Sequence, residues 1–301
     1  MTAVRWGRGR FGRTVAAVTA AVCALSAAAC GSSDDEPVTT VTVTSTPGAS
    51  SAPSEPSTRH TDSGAKLAAG FTKLQASLSS PVGVAIVPVG GGDPVVFGDQ
   101  TPRVAWSTIK VPLAVAAERK NGRSDAEAAA IVNSDNAAAE SLWGSLGTPK
   151  QAAAAVTEVL REGGDEKSTV PSERAREGFS IFGQTRWSVR DAATFTAALP
   201  CMDGTDHVLE LMGGVAGNQQ WGLEAIEKRA TAVKGGWGPA ENGGYLVRQI
   251  GIVTLRNGAR VAVAMATQTA AGSDAEGAAV LSSVGEWIGE NLTAVPSGRC
   301  R

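Results

Sequence analysis

Apolar residues recur along this chain with two different periods, and the change of period divides its organised part into three. Leu67, Phe71, Leu74 and Leu78 stand three or four positions apart. That spacing marks one stripe of a helix and predicts an amphipathic helix over 64–79. β-Branched residues then crowd into two short runs, 82–89 and 95–97, with Gly90-Gly91-Gly92-Asp93 between them, which predicts a hairpin. From about 103 to 230 the chain is alanine-rich and reads as helices near 107–120, 124–145, 148–162 and 188–199. The stretch 163–186 interrupts them with Gly, Pro and charge and is expected to be irregular. Strand patterns return at 231–234, 245–255 and 261–267, the last two flanking Asn257-Gly258, a type I′ turn signal. A closing helix is expected over 274–292, with Ala279, Val280, Val284, Trp287 and Ile288 on its apolar face. Helix, two strands, helical insertion, three strands and helix predict an α+β protein: a five-stranded antiparallel sheet, terminal helices on one face, the large helical insertion beside it.

The first residues follow another logic. Arg5, Arg8, Arg10 and Arg13 precede a nearly continuous apolar run over 14–29 that ends at Cys30. This is the layout of a signal peptide; the run is too short and alanine-rich for a spanning helix, which needs about 20 apolar residues. Ser26-Ala27-Ala28-Ala29-Cys30 resembles a bacterial lipobox, in which the cysteine is lipidated and becomes the first mature residue. Ala27 stands where that motif usually has leucine, and ordinary cleavage near Ala29, giving a secreted protein, is the alternative. Residues 30–62 are rich in Ser, Thr and Pro and hold too little apolar surface to offset their ordering entropy, so a tether is expected there. The chain thus reads as 1–29 signal peptide, 30–62 lipid-anchor cysteine and tether, and 63–301 one folded domain of sufficient size for a good core. The expected location is the outer face of the cytoplasmic membrane, held there by the lipid.

Without the leader's arginines, 23 basic side chains face 29 acidic ones, a charge of about −6. No basic stripe points to nucleic acid. With Cys23 in the leader and Cys30 at the anchor, Cys201 and Cys300 remain, and two cysteines in an exported domain are expected to pair. His207 is the sole histidine of the folded part. One histidine beside two paired cysteines makes no metal set, so no metal or cofactor is expected. The domain is expected to be a monomer.

The candidate chemistry lies in Ser107-Thr108-Ile109-Lys110, at the start of a predicted helix. One helical turn puts positions i and i+3 on one face, where a lysine stripped of water can take the serine's proton. Ser63-Gly64-Ala65-Lys66 has the same spacing but no strands before it. Downstream come Ser134-Asp135-Asn136, inside the helical stretch 124–145, and Lys234-Gly235-Gly236-Trp237, at the end of the first strand after the insertion. Taken alone, the second reads equally as a hydrogen-bonded break between helices and the third as a strand end.

Together and in this order, the three resemble the S-x-x-K, S-D-N and K-T-G motifs of the penicillin-recognising serine enzymes, the class A β-lactamases and D,D-peptidases. The likeness spans about 235 residues and implies their fold. It implies Ser107 as nucleophile, Lys110 as its base, kept neutral by desolvation and the charge of Lys234, and Ser134 as proton relay helped by Lys234. Asn136 would bind a substrate amide, and the N–H groups of Ser107 and Trp237, beside Gly236, would hold the oxyanion. The product is an acyl-enzyme on Ser107, formed with a β-lactam or a cell-wall peptide.

The sequence departs from that pattern in three places. Gly235 stands where the family has Thr or Ser to hold a substrate carboxylate, and Arg248 on the next strand is the candidate to compensate; its alternative is an exposed strand arginine. Ser134 follows Lys110 sooner than in class A enzymes, which should open the cleft. No E-x-x-L-N loop is present in 163–186, and Glu173, the nearest candidate deacylation base, lies in a charged turn. Slow deacylation is expected. Two other readings remain: a catalytically lapsed envelope protein that binds wall peptides or a protein partner, and a glutaminase-like amidohydrolase.

Overall fold

A computed structural model describes residues 58–300, with the exception of Ala271. The expected signal peptide, the expected lipid-anchor Cys30 and most of the expected tether lie outside the described residues. Five strands form one antiparallel sheet: β1 (Val82–Pro88), β2 (Val95–Gly98), β5 (Ala230–Pro239), β6 (Tyr245–Thr254) and β7 (Arg260–Thr269), in the order β2-β1-β7-β6-β5. The terminal helices α1 (Thr58–Ser77) and α8 (Asp274–Glu290) share one face. On the other lie α2 (Lys110–Asn121), α3 (Asp125–Val132), α4 (Asn136–Ser145), α5 (Pro149–Glu162), α6 (Val189–Ala198) and α7 (Asp206–Gly213). A two-residue ribbon, β3 (Arg103–Val104) with β4 (Arg186–Trp187), stands beside the sheet.

The sheet's period of two explains the layering. In β7, Val261, Val263 and Met265 face the terminal helices, while Ala262 and Ala264 face the helical lobe. In β1, Val84 and Ile86 face the former and Ala85 and Val87 the latter. Small residues on the lobe side let α6 lie close against β1 and β7. Large ones on the other side meet Leu67 and Phe71 of α1 and Val284, Trp287 and Ile288 of α8. Each fully buried side chain of this size contributes roughly 1.5–3 kcal/mol. Phe71 stacks on Phe97 at 5.0 Å, and Trp287 meets both edge-on.

Several sequence expectations shift. Helix α1 begins at Thr58, inside the stretch expected to be tether, because Ser, Thr and His there carry no apolar period. The single helix expected over 124–145 is two, α3 and α4. In α8, Ala279 is exposed, and Leu281 is buried with Val280 and Val284. At Asn257-Gly258 only the glycine has positive φ (78°), and Gly258 N–H donates to Leu255 O. This is a type I turn followed by a left-handed glycine, the three-residue alternative to the type I′ hairpin. Cys201 and Cys300 form a disulfide, Cα–Cα 5.3 Å, joining the C-terminal segment to the helical lobe as expected.

Candidate active site

Ser107 sits in the first turn of a 3₁₀ segment, Trp106–Ile109, that runs into α2. The residue before it, Trp106, has φ 48°, a left-handed conformation that costs a bulky residue about 1–3 kcal/mol. Packing holds it there: its ring meets Phe179 edge-on at 5.0 Å and covers Gly238 so closely that a Cβ on that glycine would come within 2.6 Å. Gly236 is under the same constraint. A Cβ there would lie 2.8 Å from the amide nitrogens of both Ser107 and Thr108. Glycine is what lets β5 run directly against the turn that carries the serine.

β5 is an outer strand, so alternate peptides point off its free edge. Gly235 shows which: its N–H donates to Gln219 Oε1, and its carbonyl accepts from Lys234 Nζ. By the two-residue alternation the N–H of Trp237 points off the same edge. In the first turn of the Ser107 segment the Thr108 N–H donates to Ala105 O at 3.2 Å, and the Ser107 N–H precedes that first intrahelical bond. The expected strand end at Lys234 is corrected: β5 continues through Gly235-Gly236-Trp237 to Pro239.

Ser134 occupies the break between α3 and α4, and each residue of its motif has a local reason. Asn133 closes α3; Ser134 takes φ 58°; Asp135 caps α4, its side chain accepting from Ala138 N–H at 2.7 Å. The left-handed residue turns its two polar ends different ways. Its carbonyl accepts from Lys110 Nζ at 2.7 Å, and its hydroxyl accepts from Lys234 Nζ at 2.9 Å. Lys110 also donates to Asp135 O at 3.1 Å and to Asn136 Oδ1 at 2.8 Å. Three acceptors fill the three protons of an ammonium. Ser107 Oγ is not among these three partners, although the serine stands one turn before the lysine.

Lys110 is buried and its pKa is pushed down to about 8 by that burial, against Asp135 and Glu140, which raise it. Lys234 is pushed well below its ordinary value, first by complete burial and then by repulsion from Lys110. Lys234 is held by Ser134 Oγ, Gly235 O and Gln219 Oε1. Gln219 is itself buried and anchored through Nε2 to Ile131 O and Val132 O, the end of α3.

A cleft of about 420 Å³ is lined by Ser107, Lys110 and Asn136 on one side and Trp237, Gly238 and Tyr245 on the other; Ser134, Lys234 and Gln219 lie behind these and are not among its lining residues. The loop before β4 supplies a third wall with Arg174, Phe179 and Ser180. That loop is tied together by buried Gln184, whose Oε1 accepts from the N–H groups of Ala175 and Arg176.

Two sequence candidates fall elsewhere. Glu173 is exposed and is not among the residues lining the cleft. Arg248 is buried beneath the β3–β4 ribbon, neither exposed nor among the residues lining the cleft. Its Nη1 donates to the carbonyls of Arg103, Val104 and Trp187, fastening the β3–β4 ribbon to the sheet, and its pKa is pushed down to about 9 by burial. A substrate at Ser107 gains nothing from it. The space beside Gly235 is taken by Trp221: a Cβ at 235 would lie 2.8 Å from the Trp221 ring. Sequence reasoning missed Gln219, the middle of three consecutive polar residues, Asn218-Gln219-Gln220, in a short irregular stretch without any spacing signal. It also missed Glu140, the one carboxylate among the described residues lining the cleft, although its place one helical turn beyond Asn136 was a usable signal.

As a sequence, the chain matches no protein-family model and no curated protein. Its structure does have counterparts. The TLA-3 extended-spectrum β-lactamase superposes with TM-score 0.63 at 14% identity, covering 76% of this chain and 98% of that one. The fold is that of the class A β-lactamases. A β-lactamase from Chitinophaga pinensis is similar with TM-score 0.61 at 16% identity, covering 77% of this chain and 99% of that one. An ancestral class A β-lactamase gives 0.57 at 20% identity, covering 74% and 99%. The β-lactamase-like architecture expected from the three motifs is therefore the one observed, with the five-stranded antiparallel sheet.

Proposed function

We propose that this protein is an exported, lipid-anchored serine acyl-transfer enzyme that forms an acyl-enzyme on Ser107 with a β-lactam or a cell-wall peptide and releases it slowly. The observation that carries this reading is Ser134, which touches Lys110 through its carbonyl and Lys234 through its hydroxyl while both lysines are pushed towards neutrality. Lys110 takes the Ser107 proton as the Oγ–acyl bond forms, the N–H groups of Ser107 and Trp237 stabilise the oxyanion, and Ser134, backed by Lys234, passes a proton to the departing nitrogen. Slow release follows from the loop before β4, which brings Arg174, Phe179 and Ser180 but no carboxylate to the cleft. Cys30 carries the lipid, and the protein acts as a monomer at the outer face of the cytoplasmic membrane.

The test is incubation of the protein with a labelled penicillin, followed by intact-mass analysis. A covalent adduct is expected that persists for many minutes and is absent in Ser107→Ala. No adduct on the folded protein at high penicillin concentration refutes penicillin recognition; an adduct on Ser107→Ala refutes the site. A second reading, a lapsed enzyme that binds wall peptides without acylation, is favoured by one feature: Trp221 fills the room beside Gly235 where the family's hydroxyl would stand. It predicts binding of a wall peptide by calorimetry with no mass increase from any β-lactam.

A further inference from the structure

His207 has companions that histidine and cysteine arithmetic does not count. It lies in α7, and the fold brings to it Glu118, from the last turn of α2, and Glu127, from α3. Its Nδ1 is 3.4 Å from Glu118 Oε2 and 3.8 Å from Glu127 Oε1, and the three atoms all lie within 4.8 Å of one another. None of the three has a hydrogen-bond partner, and Glu127 is fully buried. The other oxygen of each carboxylate is tied down. Glu127 Oε2 accepts from Ser124 N–H at 3.2 Å in the capping box of α3, and Glu118 Oε1 accepts from Arg123 Nε at 3.2 Å. Each glutamate therefore aims one free oxygen at a shared centre.

We propose that Glu118, Glu127 and His207 bind a zinc-type divalent cation that clasps α2, α3 and α7 together. Ligands about 2.0–2.2 Å from a tetrahedral zinc stand roughly 3.2–3.6 Å from one another, so the two imidazole–carboxylate separations already nearly fit, and the two carboxylate oxygens, within 4.8 Å of each other, draw together to close the set. One imidazole with two carboxylates suits zinc, leaving the fourth position to water from the rim, where Glu118 and His207 are partly exposed. Two unpartnered carboxylate oxygens converge beside the imidazole, and a divalent ion supplies the charge that this arrangement lacks. The site touches no substrate. It is a positioning device: α2 carries Lys110 at its other end, and α3 leads into Ser134.

The experiment uses the full chain, stripped with a chelator and titrated with zinc by calorimetry, with bound metal counted by mass spectrometry. One zinc per chain is expected. At zinc a hundredfold above Kd, Tm should rise by about 5 °C. His207→Ala and Glu127→Gln should each weaken binding by at least about a hundredfold, the upper end of what loss of even an outer ligand partner costs. His207 is at the rim, so His207→Ala decides the matter should the buried Glu127→Gln variant fail to fold. No zinc bound to folded protein overturns the proposal. So does zinc that binds His207→Ala undiminished, since it is then held elsewhere on the chain.

Discussion

The corner between α3 and α4 and the far half of β5 border the same cleft, and they are built on opposite terms. At the corner each residue of the motif is engaged: Ser134 with both lysines, Asp135 with the first turn of α4, Asn136 with Lys110. On β5 the motif is stripped to glycine at 235, 236 and 238, and aromatic rings occupy or approach the space at two of them, Trp221 beside Gly235 and Trp106 beside Gly238. On the proposed reading the first wall would handle protons and the second would shape what lies against the strand, so acylation and recognition would be separable, with Gly235 the point where the motif pattern changes.

The sharpest way to break this contrast is at the corner. Lys110→Ala removes the base and should slow formation of the penicillin adduct by about 10²–10⁴-fold, read as adduct mass against time. An unchanged rate would mean that the corner does not handle the proton. The next effect is on β5. Gly235→Thr sets a Cβ against the Trp221 ring and should destabilise the domain by about 1–3 kcal/mol in a denaturant titration. Adding Trp221→Ala should recover part of that loss and tighten binding of a carboxylate-bearing β-lactam by about tenfold, the worth of one charge-assisted hydrogen bond. Full additivity of the two substitutions would show that the ring and the glycine are not a matched pair.

The smallest effect is electrostatic. Lys110 must be neutral to accept a proton, and burial has brought its pKa down to about 8. The acylation rate should therefore climb with pH and level off above about 8. Glu140 raises that pKa, so Glu140→Gln should move the climb to lower pH and speed acylation at pH 7 by less than about fivefold. A shift to higher pH would remove Glu140 from the account of Lys110.

The strands and the order of elements were legible because β-branched runs and helical periods are local signals. The break at Ser134 was legible only as one of two readings of Ser134-Asp135-Asn136, the other being a continuous helix. Nothing in Ile131 to Ala137 is Gly or Pro, and a left-handed serine followed by an Asp cap differs from a continuous helix only in backbone angles. β5 read short because Gly235, Gly236 and Gly238 lack strand propensity; tertiary approach to Ser107, not propensity, sets them. Arg248 was misplaced for another reason. Strand alternation gives a face, but it does not say that the face is covered by a two-residue ribbon whose carbonyls need a donor. The three motifs themselves were readable because each is contiguous, whereas Gln219 and the Glu118–Glu127–His207 cluster are assembled only by the fold.

Ser134 binds one lysine with its backbone and the other with its side chain, so Lys110 and Lys234 share a junction although no bond joins them directly. Whatever moves that residue disturbs both at once. Substitutions at the two lysines will therefore not behave as separate losses: the second will cost less than it does alone, because the first has already released the junction. The unit on which selection acts here is the trio, and single replacements will overstate how much each member holds.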